Sequence, residues 1–427
     1  MFASFGWTNG ACLLKWDLTV PLKHDADAIW RNASDILDGI VPSASNEGSL
    51  RESALWAREE LVSAGHHEAR LHKARSLIWM GGSGAEIVRL LKPVARAGRI
   101  DARYVLGNVY RLGKERRPEK AVKHLRIAAD AGHADAQFAL AKECESAADP
   151  ETAVRYYRLA AAQGLPRAHY ALAWCYKEGR GIEADASMKA HHYGLAAVRG
   201  HVQAHFNLGV CYATGSGVEA DAEKAVRCYK FAADRGDVSA QYNLAHCYET
   251  GHGVDADMDE ALRYCKLAAD RGNASAQCYL AFYYETGRGV GVDMEAAVHY
   301  YRLAADQGDA VAQFNLALCY KKGQGVEADV QTAVHYYRLS ADQGDADAQL
   351  NLALCYEKGQ GIEADVQTAV HYYRLAADQG NADAQLHLAE CHDGGHGIDA
   401  DPHMASHYYR LASMQGDARE RFAPTNE

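Results

Sequence analysis

The stretch GDAVAQFNLALCYKKGQGVEADVQTAVHYYRLSADQ, residues 308–343, decides the architecture. Gly308 suits the left-handed position that ends one helix, and Asp309 is a competent N-cap for the next. Ala312, Leu316, Cys319 and Tyr320 fall at i, i+4, i+7 and i+8, the apolar stripe of a first helix. Gly323 and Gly325 break the stripe. Asp329 then caps a second helix that carries Ala333, Val334, Tyr337 and the apolar run at 339–341. A lone hairpin of this kind cannot bury its own apolar face, so it must stack on neighbours.

Working outward, the same glycine recurs every 36 residues at Gly164, Gly200, Gly236, Gly272, Gly308, Gly344, Gly380 and Gly416. Upstream the signal continues at shorter spacing through Gly132, Gly98 and Gly65. The cap after the glycine repeats as Asp237, Asn273, Asp345, Asn381 and Asp417; the second cap repeats as Asp185, Asp221, Asp257, Asp293, Asp365 and Asp401. Segments 308–343 and 344–379 differ only at Val311/Asp347, Phe314/Leu350, Lys321/Glu357, Val326/Ile362 and Ser340/Ala376, the mark of a duplicated unit. The expected fold is all-α: an α/α superhelical solenoid of about ten helix-hairpin repeats. Its expected domains are an N-terminal helical cap or docking segment (1–64), a solenoid over 65–415, degenerate to 163 and regular from 164, and a C-terminal cap or tail (416–427).

The motif A-x-A-Q-x-x-L-A-x-C-Y-x-x-G-x-G-V-x-x-D, followed by A-V-x-Y-Y-R, stands at 310–338 and again at 346–374 with Ile362 for the valine. On these residues the chain resembles the Sel1-like repeat family, a branch of the tetratricopeptide-like helical solenoids. The resemblance covers about 98 to 416. The unit at Gly132 departs from it, with ECESAADPETA (143–153) where the G-x-G turn belongs. The resemblance implies non-catalytic scaffolds and adaptors that bind protein partners; it implies no shared ligand or reaction.

Composition agrees with a folded, water-facing chain. Of 427 residues, 48% are hydrophobic and only 8 are proline, which excludes wholesale disorder. No apolar run approaches the roughly 18 residues that a membrane helix needs. The first twenty residues lack a basic segment followed by an apolar block, so no cleaved signal peptide is expected. The net charge of −11 is the opposite of a nucleic-acid footprint, so neither nucleic acid nor membrane insertion is expected. Cys175, Cys211, Cys247, Cys319, Cys355 and Cys391 share one register. Stacked equivalent positions lie about 10 Å apart, beyond the roughly 7 Å Cα separation of a disulfide. They read as buried, reduced thiols, which points to the cytoplasm.

Catalytic and cofactor motifs are absent: no P-loop, no H-E-x-x-H, no C-x-x-C and no nucleophile elbow. Turns such as Gly215-Ser216-Gly217 lack the third glycine and preceding strand of a dinucleotide site. His299, His335, His371 and His407 form a column too widely spaced to share an ion, and His403/His407 is a single i, i+4 pair. His246 and Cys247 are neighbours whose side chains diverge by about 100° on a helix. No cofactor, metal or catalytic residue is expected.

Variation between repeats is the functional signal. Counted from each glycine, offsets 4, 8 and 12 barely change, whereas offsets 3, 7, 10 and 14 vary on one helical face. Offset 7 supplies Asn207, Asn243, Tyr279, Asn315, Asn351 and His387; offset 10 supplies Trp174, His246, Phe282, Leu318 and Leu354. By analogy with tetratricopeptide-like solenoids, this face lines a concave groove. Its amides suit a peptide backbone and its aromatics suit anchors. The expected function is a non-catalytic scaffold or adaptor binding a protein or peptide there. The alternatives are a hydrolase using scattered Cys and His, and an assembly platform acting through Trp7, Trp16, Trp30 and Trp56 of the N-terminal segment.

Overall fold

Residues 7–8, 11–12, 30, 47–113 and 116–421 are described by the structure, a computed structural model. The chain divides into two compact units, Met1–His201 and Val202–Glu427. Among the described residues both are built of helices, apart from a two-residue ladder in the first, where Trp7 pairs with Cys12 and Thr8 with Ala11.

The first unit holds α1 (Glu47–Ala64), then the hairpins α2 (His67–Trp79) with α3 (Gly84–Arg96) and α4 (Ile100–Leu112) with α5 (Pro118–Asp130). They are followed by α6 (Ala134–Ser146) with α7 (Pro150–Ala162) and α8 (Pro166–Glu178) with α9 (Ala186–Val198). The second unit pairs α10 (Val202–Thr214) with α11 (Ala222–Ala233), α12 (Val238–Thr250) with α13 (Met258–Asp270), and α14 (Ala274–Thr286) with α15 (Met294–Asp306). It closes with α16 (Ala310–Lys322) and α17 (Val330–Asp342), α18 (Ala346–Lys358) and α19 (Val366–Asp378), and α20 (Ala382–Gly394) and α21 (Pro402–Arg421). Most helices run 13 residues, too short to stand alone in water, so packing between hairpins must hold them.

Both capping series behave as the sequence reads. The Asp309 carboxylate accepts from Ala312 N–H at 2.8 Å, and Asp329 accepts from Thr332 N–H at 3.0 Å. One expectation changes. The last helix runs without a break through Gly416 and Asp417 to Arg421, since a glycine permits a turn but does not compel one.

The cores are local to neighbouring hairpins. Around Tyr337, for example, Ala317, Ala333, Ala341, Ala348, Leu352 and Cys355 are all buried. The G-x-G turn serves this stacking. Gly323 ends α16 in the left-handed region (φ 67), while Gly325 (φ 69) lies so close to the preceding hairpin that a Cβ would collide with the Met294 carbonyl. The turn-less unit replaces this device with Ala148, at φ 59 the one non-glycine residue with positive φ among those described. Asp149 then caps α7.

A second device links the hairpins. Gln313, buried at offset 5, donates its Nε2–H to the Ala305 carbonyl at the end of α15, at 3.1 Å. Its Oε1 accepts from Gln343 Nε2, at the end of α17, at 2.8 Å. Gln277/Gln307 and Gln349/Gln379 repeat the arrangement. Helix ends leave carbonyls short of partners, and the glutamine supplies one across the inter-repeat seam. The relay fails at Gln241, whose buried Oε1 has no partner: the residue at the donating position, Arg271, is turned to the Gly236 carbonyl instead.

In the first unit His169 takes the glutamine's place. Its Nδ1 lies 3.1 Å from Nδ1 of His192, which stands where other hairpins carry Tyr264, Tyr300, Tyr336, Tyr372 and Tyr408. Such a contact needs one ring to donate and the other to accept, so both cannot be protonated there. Burial, reinforced by His169, His191 and Arg158, pushes His192 down to about 4.

The ten cysteines from Cys144 to Cys391 are free, and all but Cys228 are buried. Burial pushes Cys265 and Cys278 up to about 12 and Cys175, Cys319 and Cys391 up to about 11.

Three measurements follow from this packing. Ala148→Gly should raise the unfolding free energy by about 1 kcal/mol, and Gly325→Ala should lower it by about 2 kcal/mol or more, both read by chemical denaturation. Because the folded-state value of His192 lies below the ordinary 6.5, the unfolded chain takes up that proton first. Stability from this site is therefore present above pH 6.5 and declines as pH falls towards 4. The His192→Tyr variant should lose less stability than the wild type over that window, by on the order of 1 kcal/mol. Neutral iodoacetamide should label the buried thiols at least ~100-fold more slowly in the folded protein than in urea, read by mass spectrometry.

Candidate protein-binding face

On each first helix, offsets 4, 8 and 11 seal the hairpin. Ala312, Leu316 and Cys319 are buried, as are Ala348, Leu352 and Cys355. The face carrying offsets 7 and 10 is left open. In the second unit Tyr279 and Phe282 of α14 are 37% and 42% exposed, and His246 of α12 is exposed. Leu318, Leu354, Asn207, Asn243, Asn315, Asn351 and His387 are half-buried. In the first unit Trp174 of α8, 38% exposed, holds the same register, with the Arg180 guanidinium 6.0 Å from its ring.

The aromatic groups are braced rather than loose. Tyr279 meets Tyr242 edge-on at 5.7 Å and Tyr283 at 6.4 Å, and Phe282 also contacts Tyr283 at 6.4 Å. His387 stacks on Tyr373 at 5.1 Å, its Nδ1 3.3 Å from Glu390. His246 lies 3.6 Å from the buried Glu249 carboxylate, which Arg288 approaches to 2.9 Å.

The asparagines are not equivalent. Asn351 donates to its own helix at the Asp347 carbonyl (2.9 Å) and accepts from Lys321 Nζ (3.3 Å). Asn243 lies beside the Tyr229 hydroxyl of the preceding hairpin. Asn315 forms no side-chain hydrogen bond among the described residues. The sequence shows the ladder of amides but not that some lie against neighbouring hairpins, because those partners lie 14 to 30 positions away.

The Cys247 thiol is buried and raised, whereas His246 is exposed and turned to Glu249, so the two do not form a nucleophile and base. Among the described residues no group of three or more His, Cys, Asp or Glu side chains could hold a metal, and no helix is long and apolar enough to cross a membrane.

Of the four N-terminal tryptophans, Trp30 packs at 5.5 Å on His72 and under Arg58. Trp16 and the side chains of Trp7 and Trp56 lie outside the described residues. Sequence reasoning passed over Trp79, which is 93% exposed beside exposed Ile78 and Met80 at the end of α2. No periodicity distinguishes an outward tryptophan at a helix end from a buried one.

The family model for the Sel1 repeat matches nine consecutive segments: 100–133, 134–165, 166–200, 202–237, 238–273, 274–309, 310–345, 346–381 and 382–417. No curated protein matches. Among solved structures, the chain is similar to c5321, a protective antigen of uropathogenic Escherichia coli strains with an SLR fold. The identity is 26%, coverage is 87% of this chain and 91% of that one, and the TM-score is 0.65. It is also similar to a Sel1 repeat protein from Oxalobacter formigenes at 30% identity, covering 70% of this chain and 90% of that one, with a TM-score of 0.55. With a matching hairpin in every segment from residue 100 to 417, the chain belongs to the Sel1 repeat family.

Proposed function

We propose that the protein is a non-catalytic adaptor that binds an extended protein segment along the first-helix face of its second unit. Sel1 repeat proteins typically serve as protein-interaction scaffolds, and this face has the character such a role needs. The observation that carries the reading is the exposed, braced pair Tyr279 and Phe282, flanked by half-buried Leu318 and Leu354. Aromatic groups held rigidly at a surface supply anchoring area at little entropic cost. The free Asn315 amide can both donate to and accept from a peptide backbone. Trp174 offers a similar anchor within the first unit.

A second surface has its own observation. The exposed Trp79, with Ile78 and Met80, forms an apolar tip in the first unit that suits a platform role for the N-terminal region.

The test is a cross-linking pull-down that compares wild type with the double variant Phe282→Arg/Asn315→Arg and with Trp79→Ser. Cross-links should map to α14 and α16, and the double variant should weaken capture at least about tenfold with unchanged helical content and melting. A partner retained by the double variant but lost with Trp79→Ser would move the binding surface to the first unit.

A further inference from the structure

Comparison of three consecutive hairpins of the second unit shows one tyrosine hydroxyl without the partner that its two neighbours have. In the hairpin of α14 and α15, the Tyr301 hydroxyl donates to Glu285 at 2.6 Å. In that of α18 and α19, the Tyr373 hydroxyl donates to Glu357 at 3.1 Å. The tyrosine stands at offset 29 and the glutamate at offset 13, so the bond clasps the two helices of one hairpin. The intervening hairpin keeps the tyrosine, Tyr337, but has Lys321 in place of the glutamate. This exchange is one of only five differences between the duplicated segments.

The consequence is physical. Tyr337 is fully buried, and its hydroxyl has no hydrogen-bond partner among the described residues. An unpaired buried hydroxyl carries the full cost of its desolvation. Lys321 cannot relieve it as the glutamate does, since an ammonium offers no acceptor. Its Nζ lies 5.8 Å from the Tyr337 ring and reaches across to Asn351 at 3.3 Å. Lys321, Lys322 and Lys358 form no ion pair among the described residues, although the chain as a whole carries a net charge of −11. Lys322 and Lys358 share offset 14 on consecutive first helices, flanking the site.

We infer that Lys321, Tyr337 and Asn351 form a subsite for the side-chain carboxylate of an acidic residue in the bound protein segment. The incoming carboxylate would supply from the ligand the acceptor that Glu285 and Glu357 supply from within the neighbouring hairpins. Lys321 would swing from Asn351 to pair with it. A side-chain source, rather than a chain terminus, follows from the position. The open face continues on both sides within the second unit, through Phe282 before the site and His387 after it, so a segment lying along it runs through the subsite. The inference rests on the proposed binding face and adds the chemistry of one position on it.

The probes are acetylated and amidated dodecapeptide pools, randomised except for a fixed central Glu or Gln, and a third pool with a free C-terminal carboxylate. Wild-type full-length protein should retain the Glu pool about tenfold better than the Gln pool, with the preference falling as salt rises. Lys321→Glu, which restores the clasp of the adjacent hairpins, should melt no lower than wild type and lose the preference. Tyr337→Phe should also fold normally, because its hydroxyl is unpaired, and should cut the preference several-fold. Equal retention of Glu and Gln pools by wild type, or a preference that survives Lys321→Glu, overturns the subsite while leaving the binding face intact. Preference for the free-terminus pool overturns the side-chain assignment. Retention of no pool overturns both the subsite and the binding face.

Discussion

The glutamine at offset 5 is the interaction on which the stack depends. A hairpin of two 13-residue helices leaves an apolar face open, and its helix ends leave carbonyls short of partners. By donating to Ala305 and accepting from Gln343, Gln313 ties its own helix to the ends of two others. Buried amides are costly unless satisfied on both sides, so the relay selects one register between hairpins where apolar packing alone would tolerate sliding. Its exceptions are informative. At Gln241 one side is left open, and at His169 a titratable pair takes over, which makes that seam sensitive to acid.

The second constraint is the close approach of consecutive hairpins at the G-x-G turn. Left-handed Gly323 ends one helix, and Gly325 admits the backbone of the previous hairpin. Where both are present, the glutamine relay and the glycine turn fix the inward face of the repeat, and offsets 4, 8 and 11 hardly vary there. Offsets 7 and 10 carry less of that duty and differ from hairpin to hairpin, as Asn315 and Phe282 illustrate, and the proposed binding face draws on these positions.

Much of this was legible from the residues. The 36-residue glycine register, the two aspartate caps and the cysteine column gave hairpin, turn and buried thiol, because each rests on local backbone chemistry. The departures were equally physical. Gly416 lies inside the last helix, because glycine permits a turn without compelling one. Ala148 enters the left-handed region without glycine because Asp149 and Pro150 start the next helix immediately.

The sequence by itself determined the repeat, the helical class, the family and which positions vary, since all of these follow from periodicity and capping within about forty residues. Only the tertiary structure decided which varying residues remain available. Asn351 is bound to a residue of an adjacent hairpin and Asn243 lies beside one, Asn315 is free, and the Tyr337 hydroxyl has lost its partner to a single lysine. The reason is that a contact across the seam joins side chains 14 to 30 positions apart, and their distance is set by how the hairpins stack rather than by any spacing within one of them.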